Sequence, residues 1–203
     1  MFRILKRITG VFAALVLLLT GIASGEQTQV QQQEIIMPTA TPGQIIFRFR
    51  DGIRWGMTPE QVKILEPEPM KELAREAWTV LITNEKVAVS RFTADLLFMF
   101  KDNRLQIIIY EFQRQNPEND FRYLTGALSA VYGTQTEVDP LMISNLMDSV
   151  NPNYYRFDQI SRAVVWRTGD GTAIYQFFYA ESAFAVMYVS AEQGPGLYQT
   201  NGL

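Results

Sequence analysis

The stretch 94–113, ADLLFMF-KDNR-LQIIIYEFQ, decides the fold. Two apolar runs, 94–100 and 105–113, flank Lys101-Asp102-Asn103-Arg104, and the Asp-Asn centre fits a tight hairpin turn. Both runs are apolar at odd and even positions. A strand half exposed to water alternates apolar with polar residues, so these two belong centrally in a sheet, covered on both sides or bearing a binding face.

Working outward, the same strand period returns on either side. Residues 79–83 and 86–91 read as one strand broken by Asn84-Glu85, or as two. Residues 161–168, 172–179 and 183–190 read as three more, joined by Gly169-Asp170-Gly171 and Ala180-Glu181-Ser182. Asp170-Gly171 is a strong hairpin signal.

Helices are announced by their caps. In Thr58-Pro59-Glu60-Gln61, Thr58 caps, Pro59 suits the first turn and Gln61 completes a capping box. Glu66-Pro67-Glu68-Pro69 stops that helix. A second short helix is expected over 70–77, with Met70, Leu73, Ala74 and Ala77 on one face. A longer one begins at Asn116-Pro117, where Asn116 is the expected cap. It carries Phe121, Leu124, Leu128 and Val131 at helical spacing and ends at Gly133. Asp139-Pro140 opens another, with Met142, Ile143, Leu146, Met147 and Val150. The expectation is an α+β domain over residues 45–191: an antiparallel β-meander sheet with helices on one face, in the order α(α)βββ-α(α)βββ.

The first 25 residues read as an export signal. Arg3, Lys6 and Arg7 precede an apolar run from Ile8 to Ala23, and Ala23-Ser24-Gly25 supply the small exit residues, placing cleavage before Glu26. The run is about 16 residues, against the roughly 20 that span a bilayer. An uncleaved leader is the chain's only expected membrane anchor. Residues 26–44, rich in Gln and Thr with two Pro, read as a flexible linker, and residues 192–203 as a flexible tail. Without the signal the chain keeps 15 basic and 21 acidic residues, a net charge of −6. That balance disfavours nucleic acid and anionic lipid as partners.

Of 203 residues none is Cys and none is His. This removes disulfides, thiolate nucleophiles, zinc-thiolate sites, the Ser-His-Asp triad and imidazole metal ligands. No glycine-rich loop precedes a helix, and Gly169-Asp170-Gly171 lacks the alternating acids of a calcium loop. No cofactor or metal is expected. Carboxylates remain. Asp51, Glu60, Glu66, Glu68, Asp95, Glu111, Asp148 and Asp158 are scattered, and only Asp95 and Glu111 fall on adjacent predicted strands, where they could form a glycosidase-like pair. Exposure to solvent is the plainer reading of both.

Aromatic residues offer a second kind of site. Alternation puts Tyr175, Phe177 and Tyr179 on one face of their strand, and Tyr110 and Phe112 on one face of theirs. Tyr110, Tyr175 and Tyr179 suit a partner or glycan surface, their rings apolar and their tips polar. The alternative is a core face under helices. Trp166 shares a face with Val164 and is expected to be buried.

Ile53-Arg54-Trp55-Gly56-Met57-Thr58-Pro59-Glu60-Gln61-Val62 resembles the Ile-x-Trp-Gly-Met-Ser/Thr-x-x-Glu/Gln-Val segment of uncharacterised small exported bacterial domains. In those a three-strand meander follows, then a helix ending in Tyr-Gly and a strand carrying Trp, as at Tyr132-Gly133 and Trp166. The resemblance covers roughly residues 47–190. It implies a fold similar to the SmpA/OmlA (BamE-like) envelope lipoproteins and to β-lactamase-inhibitor-like domains. It brings no catalytic residues, and this chain lacks the lipid-bearing Cys of the lipoproteins. The segment itself reads structurally, with Trp55 plugging the sheet end and Gly56 allowing a turn before the Thr58 cap. The functional expectation is an extracytoplasmic binding or interaction module of the cell envelope, its partner an envelope protein or a glycan. The alternative is a carboxylate-dependent hydrolase of cell-wall glycans. Two close acids in a concave pocket would point to the enzyme; an open aromatic patch would point to binding.

Overall fold

The computed structural model describes residue 49 and residues 52–75, 77–114, 116–150 and 159–193. Residues 1–25, read above as an export signal, all of the expected linker 26–44 and most of the expected tail 192–203 lie outside them. The described residues form an α+β structure of three helices and nine strands. In chain order these are α1 (Pro59–Leu65), β1 (Met70–Arg75), β2 (Trp78–Thr83), β3 (Val87–Val89), β4 (Phe92–Lys101), β5 (Arg104–Gln113), α2 (Pro117–Tyr132), β6 (Thr136–Val138), α3 (Pro140–Val150), β7 (Arg162–Arg167), β8 (Ala173–Ala180) and β9 (Ala183–Val189). The sheet runs β1-β2-β4-β5-β9-β8-β7-β6, with β3 paired to the start of β4, and every pairing is antiparallel.

The hairpin at 101–104 forms as its sequence demands. Asp102 and Asn103 both take positive φ, 49° and 63°, which the two central residues of a tight hairpin turn require. β5 then pairs on its far side with β9, which joins the two halves of the chain at the middle of the sheet. Ile107, Ile108 and Ile109 are each 0% exposed, as expected of a strand covered on both faces.

Two expectations about the helices need correction. Residues 70–75 are not helical: they form the edge strand β1, paired along its length with β2 from Met70↔Thr83 to Arg75↔Trp78. Met-Lys-Glu-Leu-Ala-Arg has good helix formers, but a segment this short recovers little of the cost of helix nucleation. The open edge of β2 offers it a full ladder of backbone hydrogen bonds instead. The short strand β6, at the other edge, was not foreseen.

Nor do the helices share one face. Val62 of α1 with Phe121 and Leu124 of α2 pack onto the even-numbered residues of β4 (Leu96, Phe98, Phe100) and β5 (Ile108, Tyr110, Phe112), with Trp166, Ile174, Phe178 and Phe184. On the opposite face, Ile143, Leu146, Met147 and Val150 of α3 belong to a second core with Leu97, Ile107, Ile109, Tyr175, Phe177 and Met187. Strands apolar at both parities bury both sides, and this sheet has a core on each.

Directional bonds fix the helices to the sheet. Gln176 lies at the middle of β8, 0% exposed. Its Nε2 donates to the Phe121 carbonyl at 2.8 Å, and the Thr125 hydroxyl lies 2.8 Å from its Oε1. A buried amide is tolerated only with its partners made, so this pair fixes where α2 sits along the sheet. At the other end of α2, the Trp166 indole donates to the Gly133 carbonyl at 3.1 Å, with Ser129 Oγ at 3.3 Å. Trp55 Nε1 donates to Thr172 Oγ1 at 2.9 Å, and Gly56, at φ 81°, donates its N–H to the Leu105 carbonyl at 3.0 Å. The Trp55-Gly56 turn therefore docks on the 168–172 hairpin and on β5. At the start of the tail, Gln106 Nε2 donates to Glu192 at 2.9 Å.

The caps divide. Thr58 Oγ1 accepts from the Gln61 N–H at 3.3 Å and Gln61 Oε1 accepts from the Thr58 N–H at 3.0 Å, the reciprocal box read in the sequence. Asn116 occupies the cap position of α2 but makes no side-chain cap bond. Thr58→Ala is therefore expected to cost about 1 kcal/mol of unfolding free energy. Asn116→Ala is expected to cost clearly less, and chemical denaturation of the two variants checks the difference.

Trp166 is 1% exposed. Its replacement by Ala removes a filled volume and the bond to Gly133, and is expected to cost about 3–5 kcal/mol. Unchanged stability in a folded Trp166→Ala variant would refute the placement of α2 against β7.

Candidate functional site

Arg162 opens β7 and is the register partner of Phe178 on β8, so both side chains emerge on the α2 face. Pro117 starts α2 beside them and sets Glu118 in its first turn. The guanidinium forks onto the carboxylate, Nη1 to Oε1 and Nη2 to Oε2, both at 3.2 Å. Its carbon lies 4.3 Å from the Phe121 ring centroid and 5.0 Å from that of Phe178. Those two rings are themselves stacked at 4.5 Å. The fork and the aromatic floor together hold Arg162 in one place.

Around it opens a cleft of about 570 Å³, lined by Glu118, Gln159, Ser161, Arg162, Phe178, Ala180 and Glu181. The Arg162 and Glu118 side chains are 45% and 51% exposed. Arg122 Nε lies 3.8 Å from Glu118, one helical turn on. The cleft thus offers cationic donors, anionic acceptors, two neutral polar side chains and an apolar wall.

A second cleft, about 240 Å³, lies beside the edge strand β6 and the start of α3, with Val165, Arg167, Tyr175 and Met142 among its walls. Tyr175 is 1% exposed. Burial raises its phenol above the ordinary value, offset in part by the charge and hydrogen bond of Arg167. A third cleft, about 500 Å³, is lined by Gln113, Arg114, Asn116 and Asp120. Here Asp120 is held by Arg114 at 2.7 Å and Arg91 at 3.6 Å, and Arg91 lies 3.9 Å over the Tyr123 ring. One carboxylate between two guanidiniums anchors β5 and the β3–β4 turn to α2.

The acids singled out in the sequence do meet. Asp95 and Glu111 are direct cross-strand partners, which sets their Cβ atoms about 5 Å apart. Asp95 is bridged to Lys86 at 2.8 Å, and Glu111 is 9% exposed. Tyr179 stands near both: burial, then Glu111, then Asp95 push its phenol far above the ordinary value. None of these three residues lines the three clefts above. Among the described residues no group of three or more acids could hold a metal ion.

The three tyrosines do not share a surface. Tyr110 is 8% exposed in the α2-side core, stacked on Phe49 at 5.8 Å. Tyr175 and Tyr179 belong to the α3 side. Both faces are covered, so the aromatic stripes are core for most of their area. Sequence reasoning missed Arg162 and Glu118, which lie 44 positions apart. The one local signal was a charged residue heading a strand whose four central residues are apolar.

Comparisons with protein-family models, with curated proteins and with solved structures find no match.

Buried phenols give a pH signature. Tyr132 is raised by burial and then by Asp170, and Tyr188 by burial and then by Tyr132 and Tyr110. With Tyr175 and Tyr179 they lie above the ordinary value of 10.0 in the folded chain and return to it on unfolding. The unfolded state therefore gains from ionisation first. Stability is intact below pH 10 and falls as the pH rises beyond it. Phenolate absorbance of these four residues is expected to rise only together with loss of the far-ultraviolet dichroism. Ionisation of all four in a still-folded chain would contradict their burial.

Proposed function

We propose that this chain is an extracytoplasmic binding or interaction module of the bacterial cell envelope, and that the Arg162–Glu118 cleft is its recognition surface. One observation carries the reading. A guanidinium and a carboxylate are fixed side by side on a stacked aromatic pair, at the wall of a cleft of about 570 Å³. That volume falls in the range of about 300–1,000 Å³ typical of ligand sites. The leader-like N-terminus supports export, with Arg3, Lys6 and Arg7 ahead of an apolar run and a small-residue exit. The acidic balance supports a partner other than nucleic acid.

A hydrolase remains the second reading because the cross-strand register of Asp95 and Glu111 gives a carboxylate spacing compatible with glycoside cleavage. Binding is preferred because these acids line none of the three clefts and Asp95 is occupied by Lys86.

The test uses the exported chain, whose mass is expected to start at Glu26. Incubated with solubilised cell-envelope extract, it should show slowed amide exchange around Ser161–Arg162 and Phe178–Glu181. Arg162→Ala should abolish that protection. Protection confined to other segments would remove the cleft from the proposal. Release of sugar from cell-wall material, lost in Glu111→Gln, would replace binding by hydrolysis.

A further inference from the structure

We propose that the Arg162 cleft takes a neutral, polyhydroxylated ligand, a segment of a saccharide chain. The inference rests on the reading of this cleft as the recognition surface and specifies the class of ligand.

Charge is the first argument. Arg162 and Glu118 satisfy one another through two bonds of 3.2 Å, so neither is left as a bare charge seeking a counter-ion. An anionic ligand at the remaining N–H groups of Arg162 would have the Glu118 carboxylate beside it, and Glu181 in the lining of the same cleft. A cationic ligand reaching Glu118 would meet Arg162 and, 3.8 Å from the same carboxylate, Arg122. Like-charge contacts of this kind discriminate against both. A neutral ligand leaves the fork intact.

Hydrogen-bonding capacity is the second. The fork uses two of the five guanidinium N–H groups and about two of the four acceptor sites of the carboxylate. The remaining donors and acceptors stand next to one another on the rim. A hydroxyl both donates and accepts, so vicinal hydroxyls can bridge an adjacent donor and acceptor without proton transfer or charge change. Gln159 and Ser161, both exposed, add neutral groups of the same dual capacity.

Rigidity and shape are the third. The guanidinium is seated over Phe121 and Phe178, so the rim is ordered before a ligand arrives, and less entropy is lost on binding. Ala180 and the small exposed part of Phe178, a ring 8% exposed, add apolar atoms to the lining. The third cleft lacks this balance: its carboxylate, Asp120, is 13% exposed and consumed by two arginines.

Four soluble probes separate the ligand classes: chitotetraose and maltotetraose (neutral), tetragalacturonate (anionic) and tetralysine (cationic). They are titrated into the exported chain while the Arg162 Nε–H resonance is followed by NMR at low and at high salt. A neutral oligosaccharide is expected to shift that resonance, with an affinity that changes little with salt. Arg162→Ala, whose exposed side chain can be removed with the fold intact, is expected to weaken binding by about tenfold or more, since hydrogen bonds to charged groups are lost. Gln159→Ala, which touches no packing contact named above, should weaken it by a smaller factor. Binding of tetragalacturonate that strengthens in Glu118→Gln and fades with salt would overturn the neutral-ligand inference while leaving the cleft as the recognition surface. Failure of both neutral probes would overturn it as well. Slowed exchange at the cleft in envelope extract would then still speak for the site, and its absence would end both proposals.

Discussion

Everything in this structure depends on the need to cover two sides of one sheet. β4, β5, β8 and β9 carry large apolar residues at consecutive positions, so turning either face to water would expose a continuous hydrocarbon surface. The chain meets this by dividing its helices. α1 and α2 belong to the core that holds Phe98, Tyr110, Trp166 and Phe184, and α3 to the core that holds Ile107, Tyr175, Phe177 and Met187. The antiparallel junction of β5 with β9 makes both cores continuous across the two halves of the chain.

Apolar packing alone is non-directional and would let α2 slide along the sheet. Two polar anchors prevent that. Gln176 reaches up from the buried centre of β8 to the Phe121 carbonyl, and Trp166 reaches from β7 to the Gly133 carbonyl at the far end of the helix. With both made, the first turn of α2 can only lie where Glu118 meets Arg162. The recognition cleft is therefore a consequence of how the helix is pinned. The aromatic pair under Arg162 has a double role: Phe121 and Phe178 belong to the core and at the same time form the floor of the charged rim.

Much of this was legible in the residues themselves. The Asp102-Asn103 turn, the Thr58–Gln61 box, the central place of Ile107–Ile109 and the burial of Trp166 follow from rules that act over a few positions or on one alternation. The failures share a cause. Residues 70–75 have helix propensity, yet a free edge on β2 outweighs it. Asn116 has the right chemistry for a cap and makes no cap bond. The stripes holding Tyr110, Tyr175 and Tyr179 admit either a binding surface or a core face by alternation alone, and in the structure Tyr110 and Tyr175 are core while Tyr179 packs against it.

The sequence by itself determined the local grammar: where the strands turn, where α1 and α2 begin, which strands are central, and that imidazole and thiol chemistry are absent. Local backbone sterics, capping and side-chain alternation are properties of neighbouring residues, so one chain of letters contains them. Only the tertiary structure decided which helix covers which face, that Asp95 stands opposite Glu111, and that Arg162 rests on Phe121 and Phe178 with its fork on Glu118. Those side-chain contacts join residues 16 to 44 positions apart. They depend on strand register and on the seat of α2, which are set by the packing of the whole sheet rather than by any segment of it.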